Sequence, residues 1–186
     1  MTQILPGVTY EPCFIALARA VECTVFAQCE RDFVQRTGSL YGRSYKVPRL
    51  EAWYGSKPYK FNGAKFAAKE LPPILALLRS EIEKTMQGVT FDGCLVNLYR
   101  DGQDSVSWHS DDELDMGDPV VASISLGATR RFRFRAKADH TNQAMLDLAS
   151  GSLLVMGRGV QRAYEHCLPR CANAGRRLNL TFRAPG

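Results

Sequence analysis

The sequence predicts a mostly β protein with flanking helices (α+β), its core a double-sheet jelly roll or small barrel. Three observations carry this. After Gly88 short apolar runs follow one another without an interposed helical period: CLVNLY at 94–99, PVVASISLGA at 119–128, RRFRFRA at 130–136, AMLDL at 144–148, SLLVM at 152–156 and RRLNLTFR at 176–183. Strands that succeed each other this closely pair antiparallel, because a parallel partner needs a long crossover. Helical periodicity is confined to two stretches, both before this region. Gly127 and Ala128 read as the turn of a hairpin between the second and third strands.

In chain order, Glu11 to Val34 reads as a helix, with Phe14, Leu17, Ala18, Val21 and Val25 recurring at helical spacing and Pro12 in its first turn. From Arg36 to Gly63 glycines, aromatics and basic residues lack any helical period and predict short strands and hairpins. Pro72 and Pro73 open a second amphipathic helix reaching Gln87, with Leu75, Leu78, Ile82 and Met86 on one face. Both helices are expected on the outside of a sheet.

The 186 residues, 45% hydrophobic and 23% charged, fit one ordinary globular domain spanning 1–186, and no sequence in them reads as a flexible linker. No apolar run approaches the roughly 18 residues of a membrane span, and the N-terminus lacks the features of a signal peptide. The expectation is a cytoplasmic monomer, nuclear if the source is eukaryotic. The six cysteines are scattered and read as reduced thiols; Cys167 and Cys171 follow His166, but no second pair exists to complete a zinc site. The net charge of +5 is unevenly distributed. Arg31, Arg36, Arg43, Lys46, Arg49, Lys57, Lys60 and Lys65 face only Asp32 and Glu51 in their stretch, whereas 101–118 is acidic throughout. A basic rim around an acidic centre suits a polyanion carrying a cationic group; two solvated faces give the same pattern.

Cys94 to Glu113 holds the densest chemistry. Asn97 and Tyr99 share one face of a strand, Asp101 and Gly102 supply a turn, and a second extended run ends in His109 and Asp111, again of like parity. With the distant His166 these offer two imidazoles and a carboxylate, the facial ligand set of Fe(II). An H-x-D pair by itself is more often a surface polar pair. In 177–183, Arg177, Asn179, Thr181 and Arg183 alternate with apolar residues. Facing inward, two arginines would need an anion such as a dicarboxylate; facing outward, they are the polar side of an edge strand.

NLYRDG at 97–102, WHSDDE at 108–113, ASISLGATRRFRFR at 122–135, GSLLVM at 151–156, HCLPR at 166–170 and RRLNLTFR at 176–183 together resemble the AlkB-like Fe(II)- and 2-oxoglutarate-dependent dioxygenases that demethylate nucleic acids. The resemblance covers most of the chain after Phe91, and VPR at 47–49 with YKFNG at 59–63 extend it into the N-terminal half; the branch with the mammalian DNA-repair members looks most similar. It implies a double-stranded β-helix core over 91–186, with helices and nucleotide-recognition hairpins over 1–90. It implies that His109, Asp111 and His166 hold Fe(II). It further implies that Asn97, Tyr99, Arg177, Asn179 and Arg183 hold 2-oxoglutarate, with Arg183 on the distal carboxylate.

The same resemblance implies an alkylated nucleic-acid partner, DNA or RNA, whose flipped base is held by Tyr59 and Phe61, Phe61 stacking opposite His109. A base methylated on a ring nitrogen, such as 1-methyladenine or 3-methylcytosine, is cationic, so Asp112 and Glu113 are its expected carboxylates. Arg49 is expected to touch substrate, and Leu40 or Tyr41, beside Gly42, to wedge into the gap the base leaves. Asn62 and Trp53 depart from relatives, and the segment from Lys137 to Leu146 is short for a loop that grips an opposite strand. Two other readings stay open: a 2-oxoglutarate-dependent hydroxylase of a protein or small molecule, and a cupin-like binding module.

Overall fold

The computed structural model describes residues 1–40, 43–61, 64–111 and 117–186, without the side chains of 39, 40, 60, 61, 64 and 65. Tyr41, Asn62, Asp112 and Glu113, with the side chains of Leu40 and Phe61, therefore lie outside the described residues, and so do the wedge, the base stack and the acidic pair expected above.

Two antiparallel sheets face each other. The larger contains β1 (Thr2–Leu5), β2 (Val8–Glu11), β5 (Leu50–Gly55), β8 (Gly93–Tyr99), β10 (Val120–Gly127), β13 (Ser152–Met156) and β15 (Arg177–Ala184), in the order β1-β2-β13-β10-β15-β8-β5. The smaller runs β12-β11-β14-β9, from β9 (Val106–His109), β11 (Arg130–Ala136), β12 (Gln143–Leu148) and β14 (Tyr164–Leu168). Two hairpins stand apart, β3 (Thr37–Leu40) with β4 (Arg43–Lys46) and β6 (Tyr59–Phe61) with β7 (Ala64–Phe66). This is the jelly roll, one of the two forms the strand pattern predicted; the short strands and hairpins expected over 36–63 are present, with β5 joining the larger sheet and the second hairpin reaching Phe66.

Strand parity sorts the side chains. On β8, Cys94, Val96 and Leu98 join Ile124, Leu178 and Leu180 in a core under helices α1 (Ala18–Cys29) and α2 (Pro73–Thr85). Tyr99 turns the other way, into a second core between the sheets with Phe132, Phe134 and Leu168. Helix α2 has its expected extent, burying Leu75, Leu78 and Ile82. Helix α1 does not: it begins seven residues after Glu11, because Val8–Glu11 pairs with β13 and the Ile15 amide bonds to the Gly151 carbonyl at 2.8 Å. Phe14 and Leu17 matched the helical period without belonging to the helix, and Leu17 is 74% exposed.

The Gly127 turn is likewise not a hairpin. β10 and β11 belong to different sheets, so the chain turns a corner there. Gly127 has φ 90°, the Ala128 amide bonds to the Arg176 carbonyl at 2.9 Å, and a Cβ on Gly127 would lie 2.5 Å from that same oxygen. No helix among the described residues is long and apolar enough to cross a membrane.

The turn between β8 and β9 is pressed against the 169–176 loop. Asp101 Oδ1 accepts from the Gln103 amide at 2.8 Å, Arg100 pairs with Asp104, and the Cys171 amide bonds to the Gly102 carbonyl at 2.8 Å. A Cβ on Gly102 would come 1.6 Å from the Cys171 carbonyl oxygen, a backbone atom that cannot step aside. Gly102→Ala should therefore cost about 2 kcal/mol or more, a fall of roughly 5 °C in Tm by calorimetry. An unchanged Tm would mean that the two loops separate freely.

Candidate metal centre

Among the described residues β9 is an edge strand paired with β14, and its register puts His109 opposite His166. The register slips between His166 and Leu168, which lets Val106 and His109, three residues apart, both face the space between the sheets. Asp111 lies two residues beyond His109, past the strand's end, so strand parity alone does not set its approach. The imidazole centroids stand 4.3 Å apart, and Phe132 stacks on His166 at 5.2 Å.

His109 Nε2 is 3.8 Å from Asp111 Oδ1 and His166 Nε2 is 3.7 Å from Asp111 Oδ2, too far for hydrogen bonds. One ligand atom from each residue lies within 4.8 Å of the others, close enough to share an ion. His109 Nδ1 is 2.8 Å from the Ser107 carbonyl, which can only accept, so the proton sits on Nδ1 and the Nε2 lone pair faces Asp111. Burial, then the neighbouring His109, lowers the His166 pKa to about 3. Burial alone would raise the Asp111 carboxyl, but the Arg183 guanidinium and then the two imidazoles outweigh it and hold it at about 2. A His166 held neutral, an ionised Asp111 carboxylate and the His109 Nε2 turned toward it form the two-imidazole, one-carboxylate set that suits a divalent cation, so these residues fit Fe(II).

The cluster lines a narrow cleft whose walls also include Asn97, Tyr99, Asn179, Thr181 and Arg183. β15 sets them out, with Arg177 opposite Tyr99 and Asn179 opposite Asn97 in the β8 register. The two arginines stand at opposite ends of that strand. Arg183 donates to Asp111 Oδ1 at 2.9 Å and to the Tyr59 hydroxyl. A guanidinium bonded to a candidate metal ligand stands at the metal end of the cleft, whereas the resemblance implied a place for Arg183 on the distal carboxylate. Arg177 is 2% exposed, donates to Ser125 Oγ at 2.8 Å, and has no carboxylate within ion-pair distance among the described residues. Its guanidinium lies 5.2 Å from the Tyr99 ring centre, and burial lowers its pKa to about 10.

The expected substrate contacts divide. Tyr59 is buried, stacked on Trp53 at 4.5 Å, and meets Arg183 through its hydroxyl, so it braces that arginine and does not wall the cleft. Arg49 does line the cleft, but its Nε donates to Glu51 at 2.9 Å and to Asn97 Oδ1 at 3.0 Å. Glu51, fully buried, also pairs with Arg36. Arg36 and Arg49 thus leave the basic rim, while Arg43 and Lys46 remain exposed on β4. Sequence reasoning passed over Glu51 and also Gln161, whose Oε1 accepts from the Asp111 amide at 2.9 Å. Nothing in their local sequence marks either one.

In the metal-free protein His166 stays neutral to about pH 3, whereas the unfolded imidazole protonates near its usual 6.5. Below that pH the unfolded chain binds the extra proton, so stability falls as pH drops from about 6.5. Asp111, ionised in the native state down to about 2 against a usual 3.8, adds a further loss at more acid pH. Urea midpoints should therefore decline from about pH 6.5 to 4.5, and His166→Gln should flatten that decline. A slope unaltered by the substitution would assign it to other groups.

The family model of the 2OG-Fe(II) oxygenase superfamily matches residues 10–183. The alpha-ketoglutarate-dependent dioxygenase alkB homolog 3 of Bos taurus is 39% identical over 187 residues, covering 92% of this chain and 64% of that protein. Its Homo sapiens counterpart is 40% identical over 162 residues, covering 80% and 56%. The DNA oxidative demethylase ALKBH2 of Homo sapiens is 34% identical over 186 residues, covering 91% of this chain and 70% of that protein. The solved structure of OsALKBH1 superposes with a TM-score of 0.70 over 98% of this chain and all of its own, at 22% identity, a likeness of fold. The chain thus spans less than two thirds of the alkB homolog 3 proteins it matches. With a match from residue 10 to residue 183 and identities of 34–40% to AlkB homologues, the chain belongs to the 2OG-Fe(II) oxygenase superfamily, among its AlkB-like members.

Proposed function

We propose that this chain works as a single-domain, monomeric Fe(II)- and 2-oxoglutarate-dependent dioxygenase. It removes methyl groups from ring nitrogens of alkylated bases, of the 1-methyladenine and 3-methylcytosine type, in DNA, with RNA as the second candidate. The observation that carries the proposal is the convergence of His109, Asp111 and His166 at a cleft walled by Asn97, Tyr99, Asn179 and Arg183. Iron and 2-oxoglutarate, when bound, would activate dioxygen, one oxygen atom hydroxylating the N-methyl group and the other entering succinate as carbon dioxide is released. The hydroxymethyl group then leaves as formaldehyde.

The chain's own groups divide the remaining work. The two imidazoles and the Asp111 carboxylate hold the metal. Arg183 steadies that carboxylate and adds positive charge at the metal end. Asn97 Oδ1 is taken by Arg49, so what it offers a ligand is its Nδ2 donor. Tyr99 and the uncompensated Arg177 behind it suit the far carboxylate of the dicarboxylate. The exposed Arg43, Tyr45 and Lys46 of the β3–β4 hairpin favour a polyanionic substrate, as does the similarity to a DNA demethylase. A base reaching a centre enclosed between sheets must leave its stack.

Formaldehyde release from methylated oligonucleotides, in matched DNA and RNA and in single and double strands, tests the reading. No release from any of them, with 2-oxoglutarate and Fe(II) present, would end it. The arginine roles separate by variant. Arg177→Leu should raise the 2-oxoglutarate requirement tenfold or more, about 1.4 kcal/mol, and leave metal binding unchanged. Arg183→Leu should weaken both. Equal effects of the two on metal binding would put Arg177 at the metal end as well.

A further inference from the structure

Gln161 is 1% exposed, sits in the short helix α3 (Val160–Ala163), and has no part in the chemistry above. Its amide is used at both ends. Oε1 accepts from the Asp111 main-chain amide at 2.9 Å, and Nε2 donates to Met156 Sδ, a cleft wall, at 3.5 Å. The helix that carries it is held from the outside: the Gly159 amide donates to both Asp118 carboxylate oxygens at 2.8 and 3.0 Å, and Arg162 pairs with the same carboxylate at 2.8 Å.

Asp111 needs such an anchor. It lies past the end of β9, where the sheet ladder no longer fixes the main chain. Just before it, the Ser110 hydroxyl bonds to the Tyr164 carbonyl at 3.1 Å. Arg183 holds one carboxylate oxygen. We propose that Gln161 is a positioning residue for the metal centre: its amide oxygen pins the Asp111 main chain so that the carboxylate faces both imidazoles before metal binds. Fixed at its amide by Gln161 and at its carboxylate by Arg183, the side chain keeps little freedom to turn away. Outer partners that hold ligands in this manner set metal affinity without touching the ion. The inference rests on the metal role given above to Asp111.

Metal titration of the metal-free full chain tests it, with Mn(II) followed by calorimetry and Co(II) by its visible absorption, so that turnover is not the readout. Wild type should bind; if it does not, the metal reading itself falls, a result seen before any variant is made. Gln161→Leu keeps the volume and removes the acceptor, and should weaken binding by roughly 10- to 100-fold while the metal-free melting temperature stays close to wild type. Gln161→Glu restores an oxygen to the Asp111 amide and should recover most of the affinity, which a packing role would not require. Should Gln161→Leu not fold, Gln161→Met, another acceptor-free chain of similar length, replaces it in the comparison with Gln161→Glu. A folded Leu or Met variant that binds metal within about threefold of wild type, or a Glu variant no better than either, overturns the proposal.

Discussion

The structure turns on one buried ion pair. Asp111 is 3% exposed, and an ionised carboxylate at that depth is costly unless other groups answer its charge. Arg183 answers it at 2.9 Å, and the two imidazoles complete its surroundings. The four groups come from three separate parts of the chain: Arg183 from the larger sheet, His166 from β14 of the smaller, and His109 with Asp111 from the end of β9 and just beyond it. Arg183 also reaches the Tyr59 hydroxyl, so the β6–β7 hairpin is tied to the same point. Both sheets and one hairpin therefore meet where a metal would be held. Removing Arg183 takes the guanidinium away from a carboxylate that is 3% exposed, so the centre and the fold around it are coupled energetically.

Much of this was legible because alternation on a strand fixes which face a residue occupies. That Arg177, Asn179, Thr181 and Arg183 share one face, and Asn97 and Tyr99 another, follows from period two; the structure turns both sets inward and its register places them opposite one another. Parity does not say where along the strand a partner stands. The resemblance put Arg183 on the distal carboxylate, and only the contact of Asp111 with Arg183, made past the end of β9, sets that end of β15 beside the metal ligands. The bulge that turns both Val106 and His109 inward has no local signature either; it is a property of the β9–β14 pairing.

Other misreadings share a cause, the priority of tertiary pairing over local pattern. Phe14 and Leu17 sit at helical spacing, yet the chain around them is held by β13 and the Gly151 carbonyl. Gly127 has turn chemistry, but the strands it joins belong to different sheets. Glu51 and Gln161 are polar residues in unremarkable stretches whose partners, Arg36 and Arg49 for one and the Asp111 amide for the other, come from other elements. A charge count between 31 and 65 could not show that two of its cations face inward onto Glu51.

The cleft is electrically asymmetric, and the asymmetry has a structural cause. At one end the Arg183 charge is met by Asp111. At the other, Arg177 is buried against the Tyr99 ring with Ser125 as its hydroxyl partner, and Arg130 lies on the same ring at 5.9 Å. Arg130 is committed to backbone: it donates to the Asp104 and Pro169 carbonyls at 2.9 and 2.7 Å and so stitches the turn after β8 to the loop after β14. Its charge is spread over carbonyl dipoles, whereas Arg177 meets the side chains of Ser125 and Tyr99 and, among the described residues, no carboxylate. Arg130 is among the groups that push the Arg177 pKa down, after burial itself. Keeping a guanidinium there costs the free protein stability, a cost that an arriving carboxylate would relieve. Under the proposed function, the same imbalance orients 2-oxoglutarate. One carboxylate is drawn to Arg177 at the far end, and the keto acid end is left toward the metal, where Arg183 is already engaged.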